Sequence, residues 1–102
     1  MLSIFKKLFP APANFKQVLA NGGLLIDVRT KSEFVGGHIK GSINIPLDEL
    51  PKEISDLQKM EKPVITICRS GNRSGIAKRM LKSAGIEVYN GGAWNSLEQK
   101  IK

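Results

Sequence analysis

The stretch Val64-Ile-Thr-Ile-Cys68-Arg-Ser-Gly-Asn-Arg-Ser74, running on into Gly75-Ile-Ala-Lys-Arg-Met-Leu-Lys82, constrains this chain more than any other. Val64 to Ile67 is a short β-branched run entered from Pro63, the pattern of a strand buried on both faces of a parallel sheet. From Arg73 onward Ile76, Ala77, Met80, Leu81 and Ala84 recur at helical spacing, with Lys78, Arg79 and Lys82 on the opposite side. A tight turn between strand and helix holds Cys68, the single cysteine of the chain. Backbone N–H groups in such a turn converge on a concavity that attracts anions, and the positive end of the helix dipole lies behind it. A thiolate placed there is stabilised, and Arg69 and Arg73 are expected to push the same way, so Cys68 reads as a nucleophile with a depressed pKa. A cysteine closing a core strand can also be a small buried apolar group. Two arginines, a glycine and two serines within six residues of the strand end are not needed for that role.

Four motifs, in order, carry a resemblance: Leu25-Ile-Asp-Val-Arg29; Glu33-Phe-x-x-Gly-His-Ile-x-Gly-Ser-Ile-Asn-Ile-Pro46; Cys68-Arg-Ser-Gly-Asn-Arg-Ser74; and Tyr89-Asn-Gly-Gly-Ala-Trp94. Together they resemble the rhodanese-like (thiosulfate sulfurtransferase) family over nearly the whole chain from about Asn14. The resemblance implies an α/β fold, a compact three-layer domain with a small, mainly parallel sheet and helices on both faces. It implies a sulfurtransferase that moves a sulfane sulfur from thiosulfate or a persulfide, through a persulfide on Cys68, to a thiophilic acceptor such as cyanide or a thiol. The main chain of Ser70, Gly71, Asn72, Arg73 and Ser74 would line the substrate cradle, with Arg69 and Arg73 attracting the anionic donor and Arg73 partly structural. No metal and no organic cofactor is implied. In the resembled family the His of the Gly-His-Ile motif belongs to the scaffold, so His38 is not expected to activate Cys68.

Two alternatives share this loop. One is a sulfur-carrying or regulatory interaction module that exchanges sulfur with a protein partner. The other is a cysteine phosphatase, whose loop resembles a Cys followed by five residues and then Arg. Here Arg73 follows Cys68 after four residues and Ile67 stands where a phosphatase often has His. The smaller ring suits a sulfur atom better than a tetrahedral phosphate.

At 102 residues the chain holds one domain. We divide it into an N-terminal amphipathic extension, 1–12, and a rhodanese-like domain, 13–102. The extension places Leu2, Phe5, Leu8 and Phe9 on one side and interrupts them with Lys6-Lys7, which is neither a secretory signal nor a membrane span. Its expected role is docking on the domain's own surface, with a reversible lipid or partner contact as the alternative. One cysteine and one histidine leave no internal disulfide framework and no zinc site, and a reactive thiol fits a reducing, cytoplasmic compartment. The formal charge of +7 comes from basic residues dispersed along the chain without aromatic interleaving, which suits attraction of small anions better than nucleic-acid binding.

Further along the chain, Asn14 is expected to cap a helix containing Phe15, Val18 and Leu19, and Thr30 a short helix over Lys31 to Val35. Leu47 to Leu57 reads as a turn and modest helix, with Asp48, Glu49, Glu53 and Asp56 forming a solvated face. Strands are predicted at about 24–28, 43–45, 64–67 and 86–89. A further short strand implied near the start is not evident in Pro12 to Asn14. Asp27 is expected to accept backbone N–H groups or pair with a neighbouring base, Arg29 to pair with Glu33, and Trp94 to pack in the core or at its rim.

Overall fold

The computed structural model describes residues 14–102; the 1–12 extension, and Pro12 and Ala13 of the implied extra strand, lie outside them. The described elements alternate between helix and strand: α1 (Phe15–Ala20), β1 (Leu24–Asp27), α2 (Lys31–Val35), β2 (Ile43–Asn44), a 3-10 turn (Leu47–Glu49), α3 (Leu50–Met60), β3 (Val64–Cys68), α4 (Asn72–Ser83), β4 (Val88–Ala93) and α5 (Trp94–Ile101). Four strands form one sheet in the order β2-β1-β3-β4, every neighbouring pair parallel. The three-layer α/β architecture is therefore present.

Alternation along the strands sorts the core into two layers. On one face Ile26, Val28, Val64 and Cys68 pack with Leu50 and Leu57 of α3 and Ala77 and Leu81 of α4. On the other, Leu25, Ile65 and Ile67 pack with Leu97 of α5, joined by Phe15, Val18 and Leu19 of α1. All five residues of β3 are buried, as a strand covered by helices on both sides must be.

Local signals set the helix starts. Asn14 Oδ1 accepts the Gln17 N–H, and Thr30 with Glu33 forms a complete capping box. Helix α4 differs from its pattern at one place: Ile76, predicted for the apolar stripe, is 40% exposed. The stripe that meets the sheet is Ala77 and Leu81, with Met80 at its edge.

The last strand also differs. It was expected at 86–89 and lies at 88–93, because Ile86 N–H bonds to the Leu81 carbonyl and finishes the α4 turn. Beyond Tyr89 it continues through two glycines by means of a bulge: Thr66 pairs with Asn90, Ile67 with Gly92, and Gly91 is left over. A Cβ at Gly91 would lie 2.8 Å from Ile65 Cγ2, 2.9 Å from Ile67 Cγ2 and 3.1 Å from the Thr66 carbonyl. These atoms belong to the central strand and cannot yield. Gly91→Ala should therefore destabilise the fold by about 1–3 kcal/mol, read as a lowered urea midpoint; a wild-type midpoint would show that the bulge can shift.

Candidate active site

Strand order reverses between β1 and β3: the chain passes from β1 to β2 on one side, and later returns through β3 on the other. In parallel sheets that reversal opens a crevice at the carboxyl ends of the strands. Asp27 ends β1 and Cys68 ends β3, so both residues stand at that edge of the sheet.

Gly71 shapes the loop. Its φ of 102° is a left-handed conformation that a Cβ would penalise, and it stands as N-cap of α4 with no capping side chain of its own. Its N–H donates to Cys68 Sγ at 2.9 Å. The Ser74 hydroxyl lies 3.3 Å from the same sulfur. Cys68 exposes 1% of its surface. Burial pushes the thiol pKa up, and the Ser74 hydroxyl and the Ser74, Gly71 and Ser70 amides together outweigh it and hold the thiol below its ordinary value. The sulfur is thus a covered atom with the Gly71 N–H and the Ser74 hydroxyl beside it.

The arginines behave differently from expectation. Arg73 leaves the sulfur to its amide ring and makes a fork-on-fork pair with Glu33, Nη1 to Oε1 at 2.8 Å and Nη2 to Oε2 at 3.1 Å. The Glu33 hydrogen bonds raise the Arg73 pKa, with the thiolate a lesser, longer-range contributor. Arg69 is exposed beside the loop. Of the amides expected in the cradle, that of Gly71 hydrogen-bonds to the sulfur, those of Ser74 and Ser70 also favour its charged form, and Asn72, Arg73 and Ser74 open α4.

Arg29 does not pair with the Glu33 carboxylate, as the four-residue spacing suggested. Its Nε and Nη2 clasp the buried Asp27 carboxylate at 2.8–3.0 Å, and its guanidinium donates to the main-chain carbonyls of Glu33 and Gly37. Trp94 covers it at 4.6 Å from the ring centroid. A carboxylate that is 0% exposed requires a partner, and Asp27 takes Arg29 together with the Arg29 N–H. The Glu33 side chain, turned by its capping box, is left to cross to Arg73. His38 donates from Nδ1 to the Phe34 carbonyl and stacks on the Phe34 ring, a local contact within its own segment.

Sequence reasoning missed three supports of the loop. Asn90 accepts from the Ser74 hydroxyl at 2.7 Å and donates to the Gly71 carbonyl at 3.2 Å. Thr66 Oγ1 donates to the Ser74 carbonyl at 2.9 Å. Glu33 reaches in from α2. The one available signal was a polar residue ahead of a Gly-Gly pair at a strand end.

The chain matches the family model for the rhodanese-like domain over residues 11–96. It is 45% identical over 67 residues to the Bacillus subtilis protein YqhL, a match covering 65% of this chain and 52% of that one, so the chain spans about half the length of this relative. It is 32% identical over 90 residues to thiosulfate sulfurtransferase GlpE of Ectopseudomonas mendocina, covering 87% and 80% of the two chains. The solved structure of an E. coli rhodanese with anions superposes with a TM-score of 0.66 at 33% identity, covering 72% of this chain and 89% of that one.

Two measurements check the site. Alkylation rate against pH should give a Cys68 midpoint below that of a free thiol; a midpoint at or above it would refute the donor ring. Glu33 titrates from an ordinary 4.5 down to about 2, chiefly through its Arg73 hydrogen bond and then the Thr30 amide. A depressed carboxylate pKa stabilises the fold above about 4.5, and that contribution is lost as pH falls toward 2. The stability gap between wild type and Glu33→Gln should therefore narrow across this window, and an equal gap at both ends would exclude the pair as its source. With its four motifs, its all-parallel sheet and its Cys68 loop at the strand-order reversal, this chain belongs to the rhodanese-like domain family.

Proposed function

We propose that the chain is a sulfurtransferase in which Cys68 carries a sulfane sulfur from a small anionic donor to a thiophilic acceptor. The Cys68 thiolate attacks the outer sulfur of thiosulfate, forming the Cys68 S–S bond while sulfite departs with the electron pair of the broken bond. Cyanide or a thiolate then attacks the terminal sulfur, the S–S bond breaks toward Cys68, and the thiolate returns. The negative charge stays on sulfur at each stage, so fixed donors can serve the whole cycle without rearranging. Arg69, exposed and in no ion pair among the described residues, lends the loop a positive charge for the donor, whereas the charge of Arg73 is offset by Glu33. Arg69 and Ser70, the two residues that follow the sulfur in the chain, are both exposed.

The observation that carries this reading is the Gly71 N–H donating to the Cys68 sulfur at the amino end of α4. Phosphate-ester chemistry is less well served, because the Arg73 guanidinium is occupied by Glu33 and the loop is one residue short of the phosphatase spacing. A reducing, cytoplasmic setting follows from the need to keep the thiol free. Among the described residues no helix is long and apolar enough to cross a membrane.

Intact mass after incubation with thiosulfate tests the reading. Wild type should gain one sulfur and Cys68→Ala none; no gain on wild type would overturn it, and turnover of a phosphate ester would favour the phosphatase. Sulfur uptake with negligible cyanide turnover but rapid transfer to a protein acceptor would assign the carrier role instead.

A further inference from the structure

Asn90 lies outside the Cys68 loop, on β4, yet its side chain is committed to it. The partners fix which way the amide points. The Gly92 N–H can only donate, so the atom 2.9 Å from it is Oδ1. The Gly71 carbonyl can only accept, so the atom 3.2 Å from it is Nδ2. Ser74 Oγ lies 2.7 Å from Oδ1, an acceptor, so the hydroxyl donates there.

A serine hydroxyl has one proton. With that proton on Asn90, Ser74 Oγ can offer only a lone pair to the sulfur 3.3 Å away. This suits a Cys68 thiol, whose S–H then donates to Oγ. It does not suit a thiolate, which would face a lone pair. When the sulfur ionises, the Ser74 hydroxyl must turn from Asn90 to Sγ, and Oδ1 is still satisfied by the Gly92 N–H. The Gly71 carbonyl likewise keeps the Gly75 N–H in the first turn of α4.

We propose that Asn90 is a positioning residue that acts through Ser74, taking the hydroxyl proton while Cys68 is a thiol and releasing it when Cys68 is a thiolate. The inference rests on the reading of Cys68 as the nucleophile. Asn90 thereby competes with the thiolate for a single proton and favours the resting thiol. The charged side chains at the loop and the strand ends beside it are Arg69 and Arg73, Glu33 of α2, and Asp27 and Arg29 at and just after the end of β1, while Lys31 of α2 and Lys78, Arg79 and Lys82 of α4 form no ion pair among the described residues. Four of them are tied in the Glu33–Arg73 and Asp27–Arg29 pairs. From Asn90 to Ala93, β4 contributes no charged group.

The sign separates this role from simple support. Loss of a support would loosen the donor ring and raise the Cys68 alkylation midpoint. Asn90 also ties the Gly71 carbonyl, but that carbonyl keeps the Gly75 N–H, so loss of the competitor should prevail and lower it. In the full chain, Asn90→Ala should lower the midpoint by about one pH unit, a tenfold larger thiolate fraction, which corresponds to one neutral hydrogen bond. Ser74→Ala should raise the midpoint, and adding Asn90→Ala to it should change nothing more. A midpoint unchanged or raised in Asn90→Ala, or an equal drop in the Ser74→Ala background, would overturn the proposal. If circular dichroism shows Asn90→Ala unfolded, Asn90→Asp takes its place. It keeps the acceptor and adds charge, so it should raise the midpoint, and by more with Ser74 present than without it; no rise, or the same rise in both, would overturn the proposal. Alkylation needs no sulfur donor, so failure of sulfur loading from thiosulfate leaves this test readable on its own.

Discussion

A sulfur with almost no exposed surface can hold a negative charge only if the protein supplies the donors that water would have supplied. Here those donors come from the first turn of α4 and the loop before it. The arrangement works because Gly71 adopts a left-handed backbone conformation and returns its N–H to Cys68. An ordinary helix would seek a side-chain oxygen at that position. Here the N-cap is a glycine without a side-chain cap, and its own N–H is turned to the sulfur.

The loop stays in place because it is tied from three sides. Thr66 holds the Ser74 carbonyl from within β3, Asn90 holds Ser74 and Gly71 from β4, and Glu33 holds Arg73 from α2. Each tie leads to a different element, and all meet where the strand order reverses. The Asp27–Arg29 pair does similar work on the neighbouring strand: it links the end of β1 to the α2 segment through the Glu33 and Gly37 carbonyls and lies under Trp94. Arg29 and Arg73 are thus fastenings first, their charges offset by Asp27 and Glu33.

Division of labour between charge and geometry follows. Membership in the rhodanese-like domain family accounts for the sheet and the loop, whereas the low thiol pKa comes from neutral donors at short range. Neutral donors are not weakened by salt as exposed ion pairs are. They also keep their place when the charge moves from Cys68 to the sulfur it would carry.

Much was legible in the sequence because it depends on neighbours in the chain. The β-branched run of Val64 to Ile67, the glycine turn, and the Asn14 and Thr30 caps are local, and local sterics and hydrogen bonding carry them into the fold largely as read. Partner choice was decided only in three dimensions. Arg29 lies four residues from Glu33, but a buried Asp27 carboxylate claimed it, and Glu33 found Arg73 forty residues on. Asn90 stood in the sequence only as one residue of the Tyr89–Trp94 motif, and the β4 strand with its bulge is what brings it to Ser74. Spacing along a chain determines which groups can share a turn; competition among groups for partners, once water is excluded, is resolved by the packed sheet.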